Sequence, residues 1–147
     1  MIKGFFVNES PILRLTIAVP RRTASVAHCD ALIDTGSTLT VLRRSVLGDL
    51  GLDPDRDLAD RPRDQGTGVG GTEEYVRVRA RLSFPDDADS AATPLDFFVR
   101  VALADDQPRG LPSLVGMDLL SGYRVVVSAP EGLVSLERLL IRPLASS

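Results

Sequence analysis

The sequence has no tryptophan, one cysteine (Cys29), one histidine (His28) and one lysine (Lys3), and only 5% of its residues are aromatic. A single cysteine excludes an internal disulfide. One histidine and one cysteine fall short of the roughly four ligands of a structural zinc site, or three with water, so no metal is expected. No apolar run reaches the roughly 20 residues of a membrane-spanning helix. The apolar stretch within Met1 to Val7 is too short for a signal peptide. Together these absences set the expectation of a reducing, cytoplasmic compartment and no membrane partner. A basic excess is missing too: 17 Lys and Arg stand against 20 Asp and Glu, for a net charge of −3. A general nucleic-acid binder carries a basic face, so no nucleic-acid partner is expected. The arginines are interspersed with aspartates and read as solvated surface.

What is present is an ordinary globular composition, 44% apolar and 25% charged over 147 residues. That length suits a single domain, here 1–147, burying roughly 70% of the surface of its unfolded chain. The patterning is strand-like. Between Ile12 and Val19 the apolar face is Leu13, Leu15, Ile17 and Val19. A turn at Asn8-Glu9-Ser10-Pro11 joins this strand to a first one over 4–7. Alternation returns at Val76, Val78, Ala80 and Leu82, and again at Leu95, Phe97, Val99, Val101 and Leu103. The segments 123–127 and 133–136 form a hairpin around Ala129-Pro130-Glu131-Gly132. One helical spacing occurs, Leu42, Val46, Leu47 and Leu50, closed by Gly51 at the C-cap position. The segment 53–65 reads as a polar surface loop. Seven or eight short strands with one helix predict an all-β barrel or sandwich.

The segment that carries chemistry is Asp34-Thr35-Gly36-Ser37, entered from the apolar Ala31-Leu32-Ile33. It places a carboxylate at the tip of a buried strand, where the chain turns at once. Gly36 lets backbone approach without a Cβ. A shielded carboxylate held by backbone donors is a candidate for acid–base work.

Three segments, in order, resemble the retropepsin-like aspartic proteases. Leu32-Ile33-Asp34-Thr35-Gly36-Ser37 is similar to the family's apolar-apolar-Asp-Thr-Gly-Ser/Ala signature. Gly68-Val69-Gly70-Gly71, followed by a strand, resembles the glycine-rich flap tip. Leu114-Val115-Gly116-Met117-Asp118-Leu119-Leu120 resembles the apolar-apolar-Gly segment that leads into a short C-terminal helix. The resemblance spans about 30–136. It implies a retropepsin-like acid-protease barrel with one or two short helices. Because the chain has one such motif and is too short for two lobes, it implies a homodimer, with one Asp34 from each protomer at the two-fold axis. It further implies an aspartic endopeptidase acting on a peptide or unfolded protein, with no cofactor and no metal. Asp34, Thr35 and Gly36 take the catalytic positions. Ser37, Gly68, Val69, Gly70, Gly71 and Val115 take the substrate-facing ones. A Ser37 hydroxyl donating to Asp34 favours the ionised carboxylate, and an acidic activity optimum is expected.

Other readings of the same residues are weaker. Gly66, Gly68 and Gly71 fit the dinucleotide spacing G-x-G-x-x-G, but that fingerprint requires a strand before and a helix after, and here a polar loop precedes and a strand follows. His28 and Cys29 are neighbours on a strand and point to opposite faces, so they cannot act as a nucleophile pair within one chain. Asp118 reads as a helix-turn cap or backbone acceptor rather than a catalytic group. The alternative function is a dimeric, protease-like peptide-binding or interaction module with little or no catalysis, since fold alone does not establish activity. Relative to a retroviral protomer, the extra length lies in the N-terminal hairpin, the helix and loop over 43–65, and the turn over 85–94.

Overall fold

The chain enters the fold through a two-residue strand, β1 (Ile2–Lys3), and a hairpin set by its turn residues. Asn8 and Glu9 both take positive φ, 47° and 67°, the backbone pair that a two-residue hairpin loop demands. This closes β2 (Phe5–Val7) onto β3 (Ser10–Ala18), so Ser10 and Pro11 belong to the strand rather than the turn. The structure is a computed structural model and describes residues 1–68, 71–85, 94–104 and 111–139.

The remaining elements are β4 (Val26–Ile33), β5 (Val41–Leu42), α1 (Ser45–Leu50), β6 (Arg63–Gly68), β7 (Gly71–Ser83), β8 (Leu95–Ala102), β9 (Ser113–Val115), α2 (Met117–Leu120), β10 (Tyr123–Ser128) and β11 (Leu133–Arg138). The larger sheet runs β2-β3-β4-β9-β5-β8-β7-β6, and an extra pairing of β3 with β7 closes six of its strands into a barrel. A second sheet, β1-β11-β10, packs beside it. The all-β barrel expected from the sequence is therefore the observed fold. It has more strands than the alternation shows, because β1, β5 and β9 are two or three residues long and too short to display a period.

The core is what the alternation predicts. Leu13, Leu15, Ile17 and Val19 are buried, as are Val76, Val78, Ala80 and Leu82 on β7. Val46, Leu47 and Leu50 form the inner face of α1. Gly51 ends that helix at φ 71°, a left-handed conformation that favours glycine. Ser45 is the first residue of the helix, and the N-cap is Arg44, which makes no side-chain cap hydrogen bond.

The expected loop over 53–65 needs correction at both ends. Pro54 and Leu58 are buried, and Arg63, Asp64 and Gln65 begin β6, paired with Val76, Tyr75 and Glu74 of β7. The sequence of β6, Arg-Asp-Gln-Gly-Thr-Gly, lies outside the core and carries no apolar alternation to reveal it.

Candidate active site

Asp34 is positioned by parallel pairing. β4 and β9 run side by side with Ile33 opposite Val115, and the Asp34 N–H extends that ladder by donating to the Val115 carbonyl at 3.0 Å. The chain then reverses: the Ser37 N–H donates to the Asp34 carbonyl at 3.2 Å, and the Gly36 N–H donates to Asp34 Oδ1 at 3.0 Å. A Cβ on residue 36 would lie 3.2 Å from the same oxygen, so glycine is what lets this N–H close on the carboxylate. Asp34 is half-buried, while Thr35 and Gly36 are exposed. The carboxylate is held by the backbone of its own turn and keeps one face toward solvent.

The far side of the turn is locked to β9 and α2. Met117 N–H donates to the Ser37 carbonyl (2.8 Å) and Asp118 N–H to the Thr38 carbonyl (3.1 Å). Thr40, fully buried, donates its hydroxyl to Asp118 Oδ1 at 2.7 Å and its N–H to Oδ2 at 3.1 Å. The same hydroxyl accepts from the Gly116 N–H at 3.1 Å. Leu39 backbone lies directly on Gly116, where an added Cβ would fall 2.4 Å from the Leu39 carbonyl oxygen. Asp118 is thus a backbone and side-chain acceptor, as its sequence context suggested; it also accepts from Leu119 N–H at 2.8 Å.

One expectation fails here. The Ser37 hydroxyl donates to the Leu39 carbonyl at 2.8 Å. The hydroxyl is used inside the turn, so it is not the donor to Asp34 that the pH-tuning idea requires.

The glycine-rich segment forms the tip of the β6–β7 hairpin, with Gly68 opposite Gly71 and Gly71 at φ 101°. Val69 and Gly70 lie outside the described residues. Strands flank the glycines on both sides, so the strand-to-helix geometry of a dinucleotide site is absent. The hairpin is tied down near its tip. Arg43 grips Glu73 through two bonds, Nη1 to Oε1 at 2.9 Å and Nη2 to Oε2 at 3.1 Å, with side chains only 10% and 13% exposed. The Arg43 N–H donates to Ser113 Oγ at 3.0 Å, which binds this pair to β9. Tyr75 lies across Gly66, whose added Cβ would meet the ring at 2.6 Å, and its hydroxyl donates to Glu73 Oε2 at 3.4 Å. Burial, then the Glu73 charge, pushes the Tyr75 phenol up.

The structure therefore brings Asp34, Thr35, Gly36 and Ser37 into one turn beside Val115, which is fully buried in the core and so does not take the substrate-facing position expected of it. It places Gly68 and Gly71 on the hairpin that Arg43 and Glu73 anchor. Thr40, Arg43 and Glu73 were not singled out by sequence. The available signal was an arginine directly after the apolar Val41-Leu42, which a surface reading passes over.

His28 and Cys29 form no nucleophile pair. His28 is exposed, with Nδ1 3.0 Å from Thr16 Oγ1. Burial pushes the Cys29 thiol up to about 11, far from the thiolate a nucleophile needs. Among the described residues no cluster of three or more His, Cys, Asp or Glu could hold a metal ion. No helix among them is long and apolar enough to cross a membrane.

The family profile described as "Aspartyl protease" matches residues 22–119, the span from before β4 to α2. Among solved structures the chain is similar to a retropepsin-like aspartic protease from Rickettsia conorii, at 16% identity and TM-score 0.56, covering 92% of this chain and 88% of that one. It is also similar to EIAV protease complexed with the inhibitor HBY-793, at 18% identity and TM-score 0.50, covering 80% of this chain and 90% of that one. At these identities the likeness is one of fold. No curated protein matches the chain.

Proposed function

Since this chain belongs to the aspartyl protease family, we propose that it is an aspartic endopeptidase that works as a homodimer, with Asp34 of one protomer facing Asp34 of its partner. The observation that carries the reading is the turn itself. Asp34 ends a buried parallel strand, accepts the Gly36 N–H, and is half open to solvent. The chain supplies one such turn, and a two-carboxylate mechanism needs a second from another copy.

Two carboxylates in contact cannot easily both ionise, so the pair shares a proton. The ionised member takes a proton from a water held between them, and the water oxygen attacks the peptide carbonyl carbon. The protonated member donates to the carbonyl oxygen as the tetrahedral intermediate forms. Proton return to the amide nitrogen then breaks the C–N bond and leaves a new carboxyl and a new amine. The backbone N–H of Gly36 steadies the carboxylate through this cycle. The glycine hairpin at 68–71 covers the substrate and excludes water. Activity is expected on the acidic side of neutrality, where the dyad carries one proton.

The test is cleavage of an unfolded protein at about pH 4–6, comparing the wild type with Asp34→Asn, alongside sedimentation to fix the assembly. Cleavage that disappears in Asp34→Asn while the dimer persists supports the reading. A well-formed dimer equally inert in both forms assigns the fold to peptide binding instead. A stable monomer that cleaves overturns the shared site.

A further inference from the structure

The arginines that look dispersed in the sequence converge in the fold. Arg21, Arg22, Arg61, Arg79 and Arg81 line one cleft of about 540 Å³ with a single aspartate, Asp96, in a chain whose net charge is −3. The floor follows from strand register. Val78 and Ala80 of β7 turn inward and are buried, so Arg79 and Arg81 turn outward, opposite Phe98 and Asp96 of β8. One wall is the turn that follows β3, which leaves the barrel where Ala18 pairs with Arg81. The other wall is the segment around 57–61. Arg22 clamps the two walls together, donating to the Asp57 carbonyl at 3.1 Å and to the Asp60 carboxylate.

The remaining cations are poorly balanced. Arg81 meets Asp96 at 3.4 Å with both side chains half exposed, a contact of little strength. Arg21, Arg61 and Arg79 have no ion pair among the described residues. Arg79 lies over the Phe98 ring at 5.9 Å, and Phe98 is itself 47% exposed. Arg61 Nε is buried with no acceptor among the described residues. Like charges around one cleft repel. An anion seated between them relieves that repulsion, and guanidinium groups grip phosphate and carboxylate oxygens two at a time.

We propose that this cleft is a binding site for a small organic polyanion carrying two or more phosphate or carboxylate groups. None of the lining residues belongs to the Asp34 turn or to the glycine tip at 68–71, and Arg79 and Arg81 lie on β7 beyond its pairing with β6, so the inference stands whether or not the chain cleaves peptides.

The test is titration calorimetry at fixed ionic strength, with pyrophosphate as one probe and citrate as the other. Saturable one-site binding is expected with at least one probe, and the tighter arm assigns phosphate or carboxylate chemistry. Arg21→Ala and Arg79→Ala, both at exposed side chains, each weaken binding about tenfold and leave the melting temperature without ligand unchanged. Asp34→Asn binds as the wild type does. Absence of saturable binding to both probes up to about 10 mM, or equal affinity in the arginine variants, overturns the site.

Discussion

Thr40 and Asp118, 78 residues apart in sequence, meet through two hydrogen bonds, and the Thr40 hydroxyl passes a third interaction on to the Gly116 N–H. This knot joins the chain leaving the Asp34 turn to the start of α2. It fixes the turn from the side opposite its own backbone bonds.

Thr40→Val keeps the shape and removes the hydroxyl. It strands the Gly116 N–H and takes one donor from Asp118, so it is expected to cost about 1–3 kcal/mol in denaturant unfolding. If the chain is a peptidase, kcat falls while KM changes little, because the turn holding Asp34 loosens and the substrate contacts stay. A loss within about 0.5 kcal/mol with unchanged kcat removes Thr40 from the positioning role.

The sequence made the barrel legible wherever strands were long enough to alternate, as in β3, β7 and the second half of β8. It made Asp34 legible because a carboxylate at the end of Ala31-Leu32-Ile33, followed at once by glycine, is a local pattern. Gly116 was legible only as part of a motif; its physical reason, the Leu39 backbone pressed against it, is a long-range contact. Thr40 and the Arg43–Glu73 pair were illegible for the same reason. Their partners sit 78 and 30 residues away, and nothing local distinguishes them from surface polar residues. β6 was hidden because it lies outside the core and needs no apolar face. The Ser37 expectation failed because two acceptors, the Asp34 carboxylate and the Leu39 carbonyl, lie within reach in sequence, and spacing does not choose between them.

The Arg43–Glu73 pair is nearly buried and still leaves Arg43 Nε without an acceptor. Removing one partner strands the other charge, so Arg43→Ala is expected to cost about 3–5 kcal/mol. The double replacement Arg43→Met with Glu73→Leu removes both charges and recovers most of that loss. Denaturant curves on the two variants check this. A double variant no more stable than the single one shows that the pair does more than neutralise itself.

Ser37→Ala separates the expected role of the hydroxyl from the observed one. Because Ser37 Oγ donates to the Leu39 carbonyl, its loss is expected to cost about 1 kcal/mol of stability and to leave the acid limb of the pH–rate profile in place. A limb that moves to higher pH in Ser37→Ala reinstates the hydroxyl as a donor to Asp34 in the working enzyme.

Asp64 carries an acid-sensitive bond between strands. It accepts two bonds from Arg77, at 2.8 and 3.0 Å, and one from Arg100 at 3.3 Å, and so holds β6, β7 and β8 together at one point. The Arg77 hydrogen bonds hold its carboxyl below the usual carboxylate range. A carboxylate with a depressed folded pKa contributes stability above its unfolded value, about 3.9, and loses it as pH falls through the folded value. Asp64→Asn is therefore expected to melt below the wild type at neutral pH, with the difference shrinking as pH falls below about 4. With side chains 24% and 36% exposed on the Asp64–Arg77 pair, the difference also narrows at high salt. Melting curves of both proteins across pH check the sign: a gap that stays constant down to strong acid shows that shape, rather than charge, is what Asp64 supplies.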